Sequence, residues 1–441
     1  MNRAAAALLF PLLFSPARPA GGQQVAKTAP AARTSPGPEA ARDGTPRWLR
    51  ISGELRSRAE APTGLAFTAN RNDLDLLTRI RVGVRVLASR RLRFAGEWQD
   101  SRGFGYGHPV PASAANRLDL RLAWLEAGVA EGAGWTIRAG RQALKFGKGR
   151  LVWDPDWSNT GRAFDAVRLT VAGRASRLDA FAGSVVVPRD GRIDRCDRSQ
   201  MPYGLYGSAT LRTGVIFEPY LLLKSQARVR NERGGWGALD VYTSGLRVAA
   251  KAGRTFDWES EMALQRGKSA GGAVRAWAAV WQASWQTGSG RWLPRLTAAY
   301  TFASGDDNPS DGRKGTFDTL YPTTHLRNGA TDRIGWANIH DWMLQGEWRR
   351  GSRLRFSMSG HDFRLATLRD ALYSPGGVAL VRHPLASSHH VGWEIAATAD
   401  YQLSRAVNAG FGCAHLFPGA FLRQAGKSGA TQPYLFLSYR F

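Results

Sequence analysis

Arginine recurs at alternate positions, opposite aliphatic side chains, between residues 79 and 168. In Arg79-Ile-Arg-Val-Gly-Val-Arg-Val86, an extended chain puts Ile80, Val82, Val84 and Val86 on one face and Arg79, Arg81 and Arg85 on the other. Arg91 and Arg93 stand opposite Leu92, Phe94 and Trp98, while Arg117 and Arg121, with Asp119, stand opposite Leu118, Leu120, Leu122 and Trp124. Arg138 lies between Ile137 and Ala139, and Arg168 between Val167 and Leu169. A guanidinium keeps its charge and presents a planar fork of donors that grips a carboxylate in bidentate fashion. Rows of guanidinium along a channel select anions. Pairing with wall acids (Glu97, Asp119, Asp257, Glu259, Glu261) accounts for any single arginine. The excess at Arg79–Arg85 and Arg91–Arg93 points to carboxylate-bearing solutes, polymeric or small.

The elements that carry these rows are strands. About eighteen segments alternate with period two, from about 48–60 to 430–441. The last, Pro433-Tyr-Leu-Phe-Leu-Ser-Tyr-Arg-Phe441, sets Leu435, Leu437, Tyr439 and Phe441 against Ser438 and Arg440, which suits a tilted strand with one face in lipid. Connections alternate between short (Ser89-Arg90, Gly173-Arg-Ala175, Arg349-Arg-Gly351) and long (101–116, 145–163, 188–202, 304–334, 365–389). That rhythm predicts an all-β fold: a transmembrane antiparallel β-barrel of about 18 strands, with short periplasmic turns and long extracellular loops. Arginine facing lipid at mid-depth costs ~2–4 kcal/mol, so its rows belong in the lumen. Lys145, Lys148, Arg150 and Arg162 lie on the 145–163 connection. Folded inward, it would narrow the lumen and bury Trp153 and Trp157.

Composition agrees with this class and excludes others. No run of eighteen apolar residues exists, so a helical membrane protein is excluded. The formal charge is +25, and of 60 basic residues eight are lysine. An aliphatic row opposite each arginine row argues against nucleic acid as the partner. Two cysteines, Cys196 and Cys413, rule out a disulfide framework. No nucleophile–base constellation, metal site or cofactor motif stands out, so no catalytic residue is assigned. Met1-Asn-Arg3, the apolar run Ala4 to Phe14 and the small residues to Ala20 read as a signal peptide over 1–20. Residues 21–47, rich in proline and charge, read as a disordered periplasmic lead-in, leaving 48–441 as one barrel in the bacterial outer membrane.

Three stretches resemble the alginate export family of outer-membrane barrels. They are Gly140-Arg-Gln-Ala-Leu-Lys-Phe-Gly147 with Trp157-Ser-Asn-Thr-Gly-Arg-Ala-Phe-Asp165; the segment from Ser304-Gly-Asp306 through Leu320-Tyr-Pro-Thr323 and His325 to Gly335-Trp-Ala-Asn-Ile339; and His415-Leu-Phe-Pro-Gly-Ala-Phe421. The resemblance implies eighteen strands, an electropositive constriction for an anionic polyuronate such as alginate, and periplasmic export partners. Lipid and lipopolysaccharide would surround a barrel preferred as a monomer. A porin for small organic or aromatic acids, an outer-membrane enzyme and a plugged adhesion barrel are the alternatives.

Overall fold

The computed structural model describes residues 46–129, 133–211, 214–231, 234–287, 292–323, 325 and 328–441. The expected signal peptide, and all but the end of the lead-in, lie outside the described residues. Period-two patterning becomes eighteen barrel strands. The first six are β1 (Leu49–Glu60), β2 (Asp75–Ser89), β3 (Leu92–Phe104), β4 (Asn116–Gly128), β5 (Gly134–Gln142) and β6 (Phe164–Ala172). The next six are β7 (Ser176–Val187), β8 (Gln200–Thr210), β9 (Ile216–Arg230), β10 (Trp236–Ala252), β11 (Phe256–Ser269) and β12 (Gly272–Gln286). The last six are β13 (Trp292–Ala303), β14 (Ile339–Arg350), β15 (Leu354–Leu365), β16 (His390–Gln402), β17 (Val407–Pro418) and β18 (Ala430–Arg440).

Each strand pairs antiparallel with the next, and β18 closes on β1 with Glu60 opposite Tyr434 and Glu54 opposite Arg440. Closure removes the free edges that a membrane does not tolerate. Ile80, Val82 and Val84 are exposed on the outside and Arg79 and Arg81 are buried inside, as the alternation requires.

Two features depart from the simple pattern. Extracellular connections are long except at β9–β10 and β11–β12, where only residues 231–235 and 270–271 intervene. There the strands themselves are long, with 15, 17, 14 and 15 residues in β9 to β12. The second departure is in β4, whose pairing with β3 slips twice, between Glu97 and Trp98 and between Gln99 and Ser101. Each bulge adds a residue and inverts the faces that follow. Trp124, expected against lipid, is therefore inside. It lies opposite Ala95, and the Arg138 guanidinium stacks 3.9 Å from its ring centroid.

The apolar core is in the lumen. Phe146, Phe164, Phe181, Tyr206, Phe317, Trp336 and Phe363 join a single buried cluster of wall and loop residues. Gly410 and Gly412 on β17 leave room for the Phe436 and Tyr434 rings, where a Cβ would collide with them. The lumen is packed because two long loops, 143–163 and 304–338, enter it.

A candidate constriction and vestibule

A loop buried inside a barrel carries backbone groups that water no longer satisfies. The β1–β3 wall supplies the missing donors. Arg56 Nη1 donates to the Asp156 carbonyl at 2.9 Å and Arg58 Nη1 to the Trp157 carbonyl at 2.6 Å. Arg79 Nη1 reaches the carbonyls of Asp156 and Ser158 at 3.0 and 3.1 Å, while its other nitrogens bind Glu54. The Arg79 side chain has no solvent exposure. Arg81 donates to Asp156 Oδ1 and Gln99 Oε1, both at 2.7 Å. Ser101 Oγ donates to the Asn159 carbonyl, and Asn159 Nδ2 reaches the carbonyls of Thr78 and Ala114. From β4, Arg121 holds Asp154 and Glu97.

The same loop reaches the opposite wall. Arg150 pairs with Glu259 and with Glu261 (2.7 Å) on β11, Arg247 also binds Glu259, and Tyr220 donates to Glu261. Lys148 lies 3.9 Å from Glu259, and Lys145 lies 3.4 Å from Asp154. Arg162 reaches the carbonyls of Trp153 and Pro322. Burial would push the Asp154 carboxyl up, but Arg121, Lys145 and Arg81 outweigh it and hold that group well below the usual carboxylate range. Asp156 is likewise lowered, burial being overcome by Arg79, Arg81 and Arg56. Burial pushes Arg162 down to about 10.

The second loop locks onto the first. Val152 and Tyr321 form a parallel bridge, with Trp153 N donating to the Tyr321 carbonyl and Tyr321 N to the Leu151 carbonyl. Lys224 holds Asp318 at 2.9 Å, and the buried Glu394 receives the amide of Ala330 and the hydroxyl of Thr331. Trp157 lies between Arg58, 4.0 Å from its ring centroid, and His325, stacked at 3.9 Å. Beside the two loops a space of about 220 Å³ remains, bordered by Arg150, Gln282, Thr301, Asn328, Asp341 and Gln345. A wider concavity of 810 Å³ has Trp258, Trp281, Tyr300, Trp342 and Trp393 among its lining residues and opens on the lipid side.

Toward the periplasmic end the arginines meet fewer carbonyls and fewer acids. Arg93, Glu126, Arg138 and Arg168 are successive register partners across β3, β4, β5 and β6, forming a cross-strand row. Arg93 and Arg138 share Glu126, at 3.2 and 2.6 Å, and Arg168 and Arg177 share Asp179, at 2.9 and 2.7 Å. Arg85, on the same face of β2, has no ion pair among the described residues. Five arginines thus surround two carboxylates. Arg91 is exposed in the turn after β2, and Arg117 pairs with Asp190 at the extracellular rim. Sequence reasoning missed Glu126, because reading β4 without its bulges put that residue on the lipid side. It also missed Arg56 and Arg58, although Glu54, Arg56, Arg58 and Glu60 alternate cleanly with Leu55, Ser57 and Ala59.

A closed eighteen-stranded barrel with an apolar outer face and a charged, loop-narrowed lumen is an outer-membrane channel. The alginate export profile matches residues 47–436, and the chain belongs to that family. No curated protein matches it. Among solved structures it is similar to OccK3 (OpdO) of Pseudomonas aeruginosa, with 14% identity, 89% of this chain and 95% of that one covered, and a TM-score of 0.60. OpdK of the same organism aligns at 12% identity over 89% and 98% of the two chains, with a TM-score of 0.59. OpdK solved with vanillate gives 12%, the same coverage and 0.56. At these identities the likeness concerns the fold.

Proposed function

We propose that the channel passes carboxylate-bearing anions, a polyuronate such as alginate foremost, down a gradient without turnover or cofactor. The observation that carries this reading is the vestibule row, in which Arg85, Arg93, Arg138, Arg168 and Arg177 outnumber Glu126 and Asp179. Guanidinium forks replace part of a carboxylate's hydration, and the shared acids keep the binding weak enough for release. The family's described role, alginate export, supports the polymeric solute. Exposed apolar side chains on every strand, from Ile51 and Leu55 of β1 to Leu435 and Leu437 of β18, favour a monomer in lipid.

A second reading, a porin for small organic or aromatic acids, has its own support. The 220 Å³ left beside the loops suits a small solute, and vanillate, an aromatic carboxylate, occurs with the structurally similar OpdK.

Planar-bilayer recording of the refolded protein under a salt gradient tests both. Anion selectivity with block by oligouronates, weakened in Arg85→Gln/Arg93→Gln, supports the polyuronate channel. Block by small aromatic acids alone transfers the assignment to the second reading. Cation selectivity rejects both.

A further inference from the structure

The outer face of β9 to β12 breaks the rule that the barrel's exterior is apolar. Arg266 on β11 and Arg275 on β12 are direct register partners, both exposed and both on the outward side. Two residues nearer the periplasm on the same strands, Leu264 and Trp277 are partners as well, exposed to lipid. Two residues further out on β11 is Lys268. From β9, Arg228 adds a guanidinium whose carbon stands 4.5 Å from the Trp236 ring centroid. Among the described residues none of Arg228, Arg266, Lys268 and Arg275 has an ion pair. Asp240, the register partner of Lys268, accepts a hydrogen bond from Ser225 instead. Arg266 Nη1 donates to its neighbour's carbonyl, that of Gln265, at 2.8 Å.

Like charges directly opposite across strands destabilise a sheet unless something neutralises them. Here the charges stand one tier above an aromatic anchor, the depth at which headgroup phosphates begin. The long strands and tight turns of this wall hold them on rigid β-structure. We infer that this face binds the phosphate groups of a phosphorylated lipid of the outer leaflet, a bisphosphorylated glucosamine headgroup of the lipid A type. The Arg266–Arg275 pair grips one phosphate, Arg228 and Lys268 add positive charge around it, and the acyl chains lie along Leu264 and Trp277.

The test is binding of bisphosphorylated lipid A to the full refolded chain in detergent, with phosphatidylethanolamine as the zwitterionic comparison. Preferential binding that weakens roughly tenfold in Arg266→Gln/Arg275→Gln is the expected result. Arg349→Gln/Arg355→Gln, which removes the same charge at the periplasmic end, leaves binding unchanged. A heat-modifiable gel shift identifies folded barrel for each variant, and Arg266→Lys/Arg275→Lys, which keeps the charge, retains most of the affinity. Equal binding of the two lipids, or wild-type affinity in the Gln pair, overturns the inference. Displacement of lipid A by an equal concentration of inorganic pyrophosphate overturns its assignment to a lipid.

Discussion

Arg79 and Arg93 stand on adjacent strands, on the same side of the wall, and do different things. Arg79 is fully enclosed and divides its donors between Glu54 and two loop carbonyls. Arg93 keeps about a quarter of its side chain exposed and shares one carboxylate with Arg138. The alternation that put both inside is the same. What separates them is the 143–163 loop, which covers the Arg79 level and leaves the Arg93 level open. An arginine row therefore has two fates in one barrel. Where backbone enters the lumen it becomes scaffold, and where water remains it stays available to a solute.

The largest effect should come from breaking the scaffold. Arg79→Ala takes from Glu54 its main partner, from the Asp156 carboxylate one of its two guanidinium contacts, and from the Asp156 and Ser158 carbonyls one of the two arginines that donate to each. Removing one member of a buried pair costs about 3–5 kcal/mol. Thermal unfolding of the refolded barrel should fall accordingly, and single-channel conductance should rise as the loop loosens. Arg150→Ala detaches the loop from Glu259 and Glu261 on the far wall, and should widen the pore with a somewhat smaller loss of stability.

Acid should sharpen the same contrast. Asp154 and Asp156 titrate below their ordinary range, so their contribution to holding the loop is complete above about pH 4, the value of an unperturbed aspartate. It is lost as pH falls through the lowered folded values. Conductance should stay constant from about pH 7 to 5 and become larger and noisier below about pH 4. Asp154→Asn should show the noisy state at neutral pH.

Vestibule changes should move selectivity and spare stability. Arg85→Gln/Arg93→Gln should lower the reversal potential under a salt gradient by roughly half, with stability within about 0.5 kcal/mol of wild type. Smallest of all, Arg117→Ala at the rim breaks an exposed ion pair with Asp190 and should leave both melting temperature and selectivity unchanged.

The sequence alone determined the class of fold. Period-two alternation is a local property of an extended chain, so Ile80, Val82 and Val84 reveal lipid on one side wherever the rest of the protein lies. The spacing of turns carries the strand count for the same reason. Local parity fails where a bulge inserts a residue, and the bulges of β4 hid both the inward turn of Trp124 and the pairing of Glu126 with Arg93 and Arg138. Nor could alternation say which lumen arginines would be covered. That depends on contacts 75 to 111 residues apart, Arg81 with Asp156 and Arg150 with Glu261. Only the closed barrel, bringing loop carbonyls against one wall and loop cations against the other, decided which charges hold the channel's shape and which face its contents.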